Sequence, residues 1–175
     1  EITDERLDYV MRAHQTGALV DQVFCAFLGP CTREDFIPYV ADFYLQLEDV
    51  QWTVVSGVVN DQMVVSVRNL GYSRNAGDFV RRWFNDIGSA GGHRTMAKAV
   101  IPIAAFRDRF GSLQTDDVKD KILELALSFL IGQGSFVGDV IGAAGEGINS
   151  PHRLAQAGGQ QQGGEAGTRG PAASP

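Results

Sequence analysis

Two short stretches carry residue types that could grip an anion. In Val65-Ser66-Val67-Arg68, an extended chain puts Ser66 and Arg68 on one face with Val64. Met63, Val65 and Val67 take the other face, because strand side chains repeat every two residues. A hydroxyl beside a guanidinium at a strand end can hold a phosphate, the arginine through a charge-assisted fork. Serine and arginine on an exposed sheet face are also common without a ligand, so this pair alone leaves both readings open. The second stretch is Gly88-Ser89-Ala90-Gly91-Gly92-His93. Three glycines in five positions, directly after a predicted helix, let backbone N–H groups converge on an anion. A histidine closing such a loop can donate to a phosphate oxygen or assist a proton transfer. The same residues also read as a helix C-cap followed by a loop histidine with a structural role.

Other reactive types have weaker contexts. His14 falls in a helix stripe and His152 in the tail, neither with a partner in sequence. Cys25 belongs to an apolar run, and Cys31 has no nearby histidine to activate it. Asp116, Asp117 and Asp120 suit the electropositive start of a helix. The chain shows no H-E-x-x-H, C-x-x-C or P-loop pattern and no Asp/His cluster at metal-ligand spacing. Hydrolysis assisted by divalent metals needs several such ligands.

Charge is distributed to match a local anion site. The chain carries 15 Lys+Arg against 21 Asp+Glu, a net of −6, which argues against a general nucleic-acid coat. Residues 66–110 nevertheless hold Arg68, Arg74, Arg81, Arg82, Arg94, Lys98, Arg107 and Arg109 against Asp78, Asp86 and Asp108. That segment is net +5, an island in an acidic chain; a solvated helix face accounts for Arg81 and Arg82 equally well. Two cysteines are too few for a disulfide scaffold, so a reducing, cytoplasmic setting is expected. No apolar run reaches the length of a membrane span, and the acidic N-terminus lacks a signal core. The first residue is Glu1 rather than Met, as expected of a processed chain or a piece of a longer protein.

The elements that must position these residues follow from periodicity. Thr3 starts a helix whose stripe is Leu7, Val10, Met11 and His14. Val20–Leu28 reads as a buried strand. Asp35 caps a helix with Pro38 in its first turn and Phe36, Val40, Phe43, Tyr44 and Leu47 along one side. Trp52–Val59 and Gln62–Arg68 are β-rich runs joined at Asn60-Asp61, which tolerate a tight turn. A helix over 76–87 turns Phe79, Val80, Trp83, Phe84 and Ile87 inward, with Gly88 as its stop. Ala97–Ile103 forms a further strand, and Thr115 caps a last helix with Val118, Ile122, Leu125, Ala126 and Phe129 buried. This alternation predicts an α/β fold, a mixed β-sheet flanked by helices in a single domain. Of 21 glycines, 12 lie in residues 132–175; that composition predicts a disordered tail, inert or with a binding or autoinhibitory role.

Taken together, Ser66-Val67-Arg68, the Asn75-Ala76-Gly77-Asp78 helix start and Gly91-Gly92-His93-Arg94-Thr95-Met96-Ala97 resemble the DHH-associated domain. This is the C-terminal half of the DHH phosphoesterases, which include RecJ-like exonucleases, oligoribonucleases and cyclic-dinucleotide phosphodiesterases. The likeness spans about 20–103. It implies three segments: a connecting helix over 1–18, the substrate-binding domain over 19–131 and the tail over 132–175. It implies that Ser66, Arg68, Gly91, Gly92, His93 and Arg94 contact substrate phosphate and that His93 faces the scissile phosphate as the catalytic candidate. Manganese or magnesium would be held by an N-terminal DHH domain of the parent protein, with no cofactor bound by this chain. The partners implied are an oligonucleotide or nucleotide and that N-terminal domain, with a homodimer as a further option. Many relatives continue the motif as His-x-x-Ala-Ala-Gly, whereas here Lys98 follows Ala97, where it either forbids a positive φ or adds a phosphate contact. The alternative is a non-catalytic RNA-binding or oligomerisation module of the kind appended to alanyl-tRNA synthetase, whose motif usually lacks this histidine. An independent Ser66/His93 hydrolase is disfavoured, since no acid orients the imidazole and no nucleophile elbow is present.

Overall fold

A computed structural model describes residues 1–132; the tail from 133 onward, His152 included, lies outside the described residues. Helix α1 (Asp4–Thr16) begins where Thr3 Oγ1 accepts from the Arg6 N–H at 3.2 Å. Its buried side is Tyr9, Val10 and Ala13. The expected stripe is therefore rotated: Leu7 and Met11 face outward, because Tyr9 stacks on Phe36 at 4.8 Å and draws the helix round. The single strand expected over 20–28 is two strands, β1 (Ala18–Val20) and β2 (Val23–Pro30). Asp21 and Gln22 reverse the chain between them with φ of 49° and 69°. Helix α2 (Phe36–Leu45) buries Phe36, Ile37, Val40, Ala41 and Tyr44. Asp35 makes no side-chain cap bond there, being taken by Arg33 at 2.9 Å, and Leu47 lies exposed beyond the helix end.

Strands β3 (Trp52–Val59) and β4 (Gln62–Asn69) form the hairpin that alternation and Asn60-Asp61 predict. The turn residues have φ of 49° and 60°, in the left-handed region that Asn and Asp enter at least cost. Helix α3 (Ala76–Phe84) is capped by Asn75, whose side chain accepts from the Asp78 N–H at 3.1 Å. Next come β5 (Ser89–Gly92), β6 (Met96–Pro102) and α4 (Ile103–Phe110), a helix that periodicity does not reveal. Helix α5 (Thr115–Ile131) ends the described chain, with Gln114 at the N-cap and Thr115 already inside.

The strands form one six-stranded mixed sheet in the order β1-β2-β3-β4-β6-β5. Only β2 and β3 run parallel, joined by the α2 crossover. Helices α1 and α2 cover one face with Tyr9, Phe24, Val40, Val55 and Val64. The other face packs against α3, α4 and α5 through Trp52, Val65, Phe79, Phe84, Phe106 and Phe129. The result is a single α/β unit with two separate apolar cores, one on each side of the sheet. Among the described residues no helix is long and apolar enough to cross a membrane.

Candidate anion-binding site

Strand register lays out the site. Ser66 of β4 sits opposite Lys98 of β6, and Lys98 sits opposite Gly91 of β5. Two residue pairs along, Arg68 sits opposite Met96. Alternation therefore raises Ser66, Arg68 and Lys98 from the same sheet face, the one that α2 covers further along. Beside α2, a cavity of about 820 Å³ opens over this patch. Its floor includes Ser66, Arg68, Gly91, Gly92, His93 and Lys98. The facing wall is the connection from β2 to α2, with Thr32, Arg33, Glu34 and Asp35, and Pro38 in the first turn of α2.

Each polar side chain in the cavity has its own environment. Ser66 is only 3% exposed and its hydroxyl engages no hydrogen-bond partner among the described residues. Arg68 is 12% exposed, and its Nε donates to Asp42 Oδ1 of α2 at 2.9 Å while Nη1 donates to its own strand at Val67 O. Lys98 Nζ pairs with Glu34 across the cavity. Arg33, the third cation of the lining, pairs with Asp35 at 2.9 Å, so each cation of the cavity rests against a carboxylate. A nearly buried guanidinium needs such a partner.

His93 is not carried by a loose glycyl loop. The stretch expected to be that loop is edge strand β5, antiparallel to β6, and a hairpin of three residues follows it. The His93 N–H donates to Met96 O at 2.7 Å, and its carbonyl accepts from the Gly77 N–H at 3.0 Å. Arg94 O accepts from the Ala76 N–H at 2.9 Å. The first-turn donors of α3, which have no acceptor within their own helix, are thus satisfied by the backbone of the histidine hairpin. The Asn75-Ala76-Gly77 motif and the Gly92-His93 motif are two sides of one junction. Gly77 allows it: a Cβ there would stand 2.7 Å from Gly92 O. The backbone of His93 is fixed at both ends, and its ring stands exposed at the cavity wall.

Arg94 goes elsewhere. Its guanidinium donates to Ser73 O at 2.6 Å and Gly71 O at 3.3 Å, pinning the loop before α3, and it is not among the residues lining the cavity. The hairpin reverses the chain at this point, so neighbours in sequence separate in space. Asp42 and Glu34 were not singled out by sequence reasoning, because each reaches the site from α2 or its approach. No periodic signal in the sequence connects them to β4 or β6.

The remaining reactive types lie apart from the cavity. His14 borders a smaller apolar groove between α1 and α2. Cys25 is buried, with Sγ 3.6 Å from Lys119 O; Cys31 is half-buried. Burial pushes both thiols up, Cys25 to about 12 and Cys31 to about 11, far from a nucleophilic thiolate at neutral pH. Asp116 and Asp120 flank the buried Lys119 Nζ at 3.4 and 3.3 Å, a structural duty beyond the helix-start electrostatics expected of them. Among the described residues no group of three or more His, Cys, Asp or Glu could hold a metal ion.

No family model matches the chain. The uncharacterized protein MJ1633 of Methanocaldococcus jannaschii is 29% identical over 131 residues, covering 71% of this chain. The match spans only 27% of that protein's length. Solved structures with a related chain path include the C-Ala domain of Aquifex aeolicus alanyl-tRNA synthetase, at TM-score 0.46 and 17% identity, covering 66% of this chain and 98% of that one. An exopolyphosphatase-related protein from Bacteroides fragilis gives 0.47 and 14%, covering 70% and 37%. A pGpG-specific phosphodiesterase from Vibrio cholerae gives 0.43 and 14%, covering 70% and 39%. At TM-scores below 0.5 none of these decides a function, and the site itself must carry that argument.

Proposed function

We propose that this chain is the substrate-binding domain of a phosphoesterase of the DHH type, acting on short oligonucleotides or nucleotides. In this reading a parent protein supplies an N-terminal domain whose carboxylates and imidazoles hold manganese or magnesium, since the described residues here offer no such donor set. The observation that carries the reading is convergence. Ser66 and Arg68 from β4, and Gly91, Gly92 and His93 from β5 and its hairpin, line one cavity although 23 to 27 positions separate them in sequence.

The chemistry follows from the groups. The Arg68 fork supplies two parallel N–H donors to phosphate oxygens, and Asp42 keeps it oriented until a ligand arrives. The Ser66 hydroxyl, buried beside it, donates a third bond. Glycine at 91 leaves open the space where a side chain would hold a phosphate away from the β5 backbone, and glycine at 92 lets β5 lie close against Ala97 and Met96 of β6. His93 lines the cavity with its backbone locked and its ring exposed, and in this reading the other half of the enzyme would present the reacting phosphate to it. There it can donate to a non-bridging oxygen or carry a proton. Arg94 serves this arrangement from behind, by holding the loop that leads into α3.

Titration of a single-stranded tetranucleotide into the full chain and its Arg68→Ala variant tests the reading. Loss of a hydrogen bond between charged groups is expected to weaken binding by about 1.5–3 kcal/mol. Equal affinity for the two proteins would contradict the assignment. Arg68→Lys, which keeps the charge and removes the fork, should fall between them.

A further inference from the structure

We propose that Lys98 is an additional anion-binding residue of this cavity, kept occupied by Glu34 until an incoming phosphate takes the place of the Glu34 carboxylate. The inference rests on the phosphate-site reading above and assigns a role to two residues outside its motif. Lys98 stands in the middle of the floor, opposite Ser66 on one neighbouring strand and opposite Gly91 on the other. Among the described residues its only ion pair is with Glu34, on the wall formed by the connection between β2 and α2. In the sheet β2 and β6 are separated by β3 and β4, so this contact spans the cavity instead of joining neighbours.

The two cations of the floor differ in how firmly they are held. Arg68 is 12% exposed and tied to both Asp42 and Val67 O. Lys98 is 52% exposed and Glu34 45%. An ion pair so open to water is screened and contributes little to stability, and a lysine ammonium on four methylenes can follow a new partner without disturbing the strand. Next to it, across the strand pair, stands the Ser66 hydroxyl. A phosphate between Ser66 and Lys98 would gain two donors while Glu34 turns into solvent. Glu34 thus acts as a built-in competitor: it lowers the affinity of the site for anions and lifts away from the mouth when one binds.

Binding of inorganic phosphate and of the same tetranucleotide is measured with the full chain, Glu34→Gln, Lys98→Met, the double variant and Arg68→Ala. Thermal unfolding of each is recorded alongside. The proposal expects Glu34→Gln to tighten binding by up to about fivefold, the scale of an exposed ion pair. Lys98→Met should weaken binding roughly tenfold, as for a lost charge-assisted bond. The double variant should match Lys98→Met, because the competitor matters only through the lysine. A purely structural clamp predicts lower unfolding temperatures for both single variants with affinities unchanged, and that result overturns the proposal. If Arg68→Ala loses binding while the Glu34 and Lys98 variants do not, the cavity is the phosphate site and only the lysine's role fails. If no variant alters binding, or the full chain binds neither ligand, the site reading fails and this inference with it.

Discussion

The two faces of strand β4 serve different purposes. On one side Met63, Val65 and Val67 are fully buried among Trp52, Phe79, Phe84 and Phe129, whose rings meet edge-on or tilted at 5.5–6.3 Å. On the other, Val64 joins the α2 core, while Ser66 and Arg68 line the cavity beside α2, with Arg68 bonded to Asp42 of that helix. The same backbone therefore serves both purposes, and alternation divides them. The dry face holds the strand at a fixed height, and the wet face presents a hydroxyl and a guanidinium whose spacing is set by the pleat. A binding site built on a strand inherits the rigidity of the core behind it.

Changes to the dry face should cost stability, and changes to the wet face should cost binding. The largest effect is expected for Phe79→Ala, which removes a fully buried ring touching Trp52, Phe84 and Phe129. A loss of about 3–5 kcal/mol is expected in denaturant unfolding; a loss below 1 kcal/mol would show that the core is not organised around that ring. Arg68→Ala should weigh the other way, lowering tetranucleotide affinity as above with a smaller loss of stability, about 0.5–1.5 kcal/mol, for the bonds to Asp42 and Val67 O. Gly92→Ala tests the junction between the two. Gly92 has φ +153°, and a Cβ there would run into Ala97 and Met96 O, so about 1–3 kcal/mol of strain is expected. That strain should appear as lower stability together with weaker binding, because β5 and the His93 hairpin shift as one. Weakened binding with full stability would separate them. The smallest effect belongs to Ser66→Ala, about 0.5–1.5 kcal/mol in affinity and none in stability, since the hydroxyl supports no bond in the free chain.

The same division explains what was legible in the sequence. The β3–β4 hairpin can be read almost to the residue, because strict alternation and Asn60-Asp61 are local signals. The assignment of Ser66 and Arg68 to one face follows directly from it. Strand β5 is invisible for a physical reason: Ser89-Ala90-Gly91-Gly92 has no side chains large enough to alternate, and its pairing with β6 is decided by backbone bonds. The stretch therefore reads as a loop. Helix α4 is eight residues with one buried side chain, Phe106, too short for a periodic stripe. The shift of the α1 face arises from Tyr9 meeting Phe36, a contact between elements. Asp42 and Glu34 belong to the same category: they acquire meaning only when α2 and its approach are laid across the sheet. Local patterning thus reveals the donors of the site, and tertiary packing alone reveals their counter-ions.

Amide chemical-shift mapping during titration of the full chain with inorganic phosphate tests the central claim most directly. The account predicts saturable shifts that converge on Ser66, Arg68, Gly91, Gly92, His93 and Lys98, with Glu34 moving in step as its carboxylate is displaced. Shifts confined to one strand, or gathered at the apolar groove between α1 and α2, would contradict it.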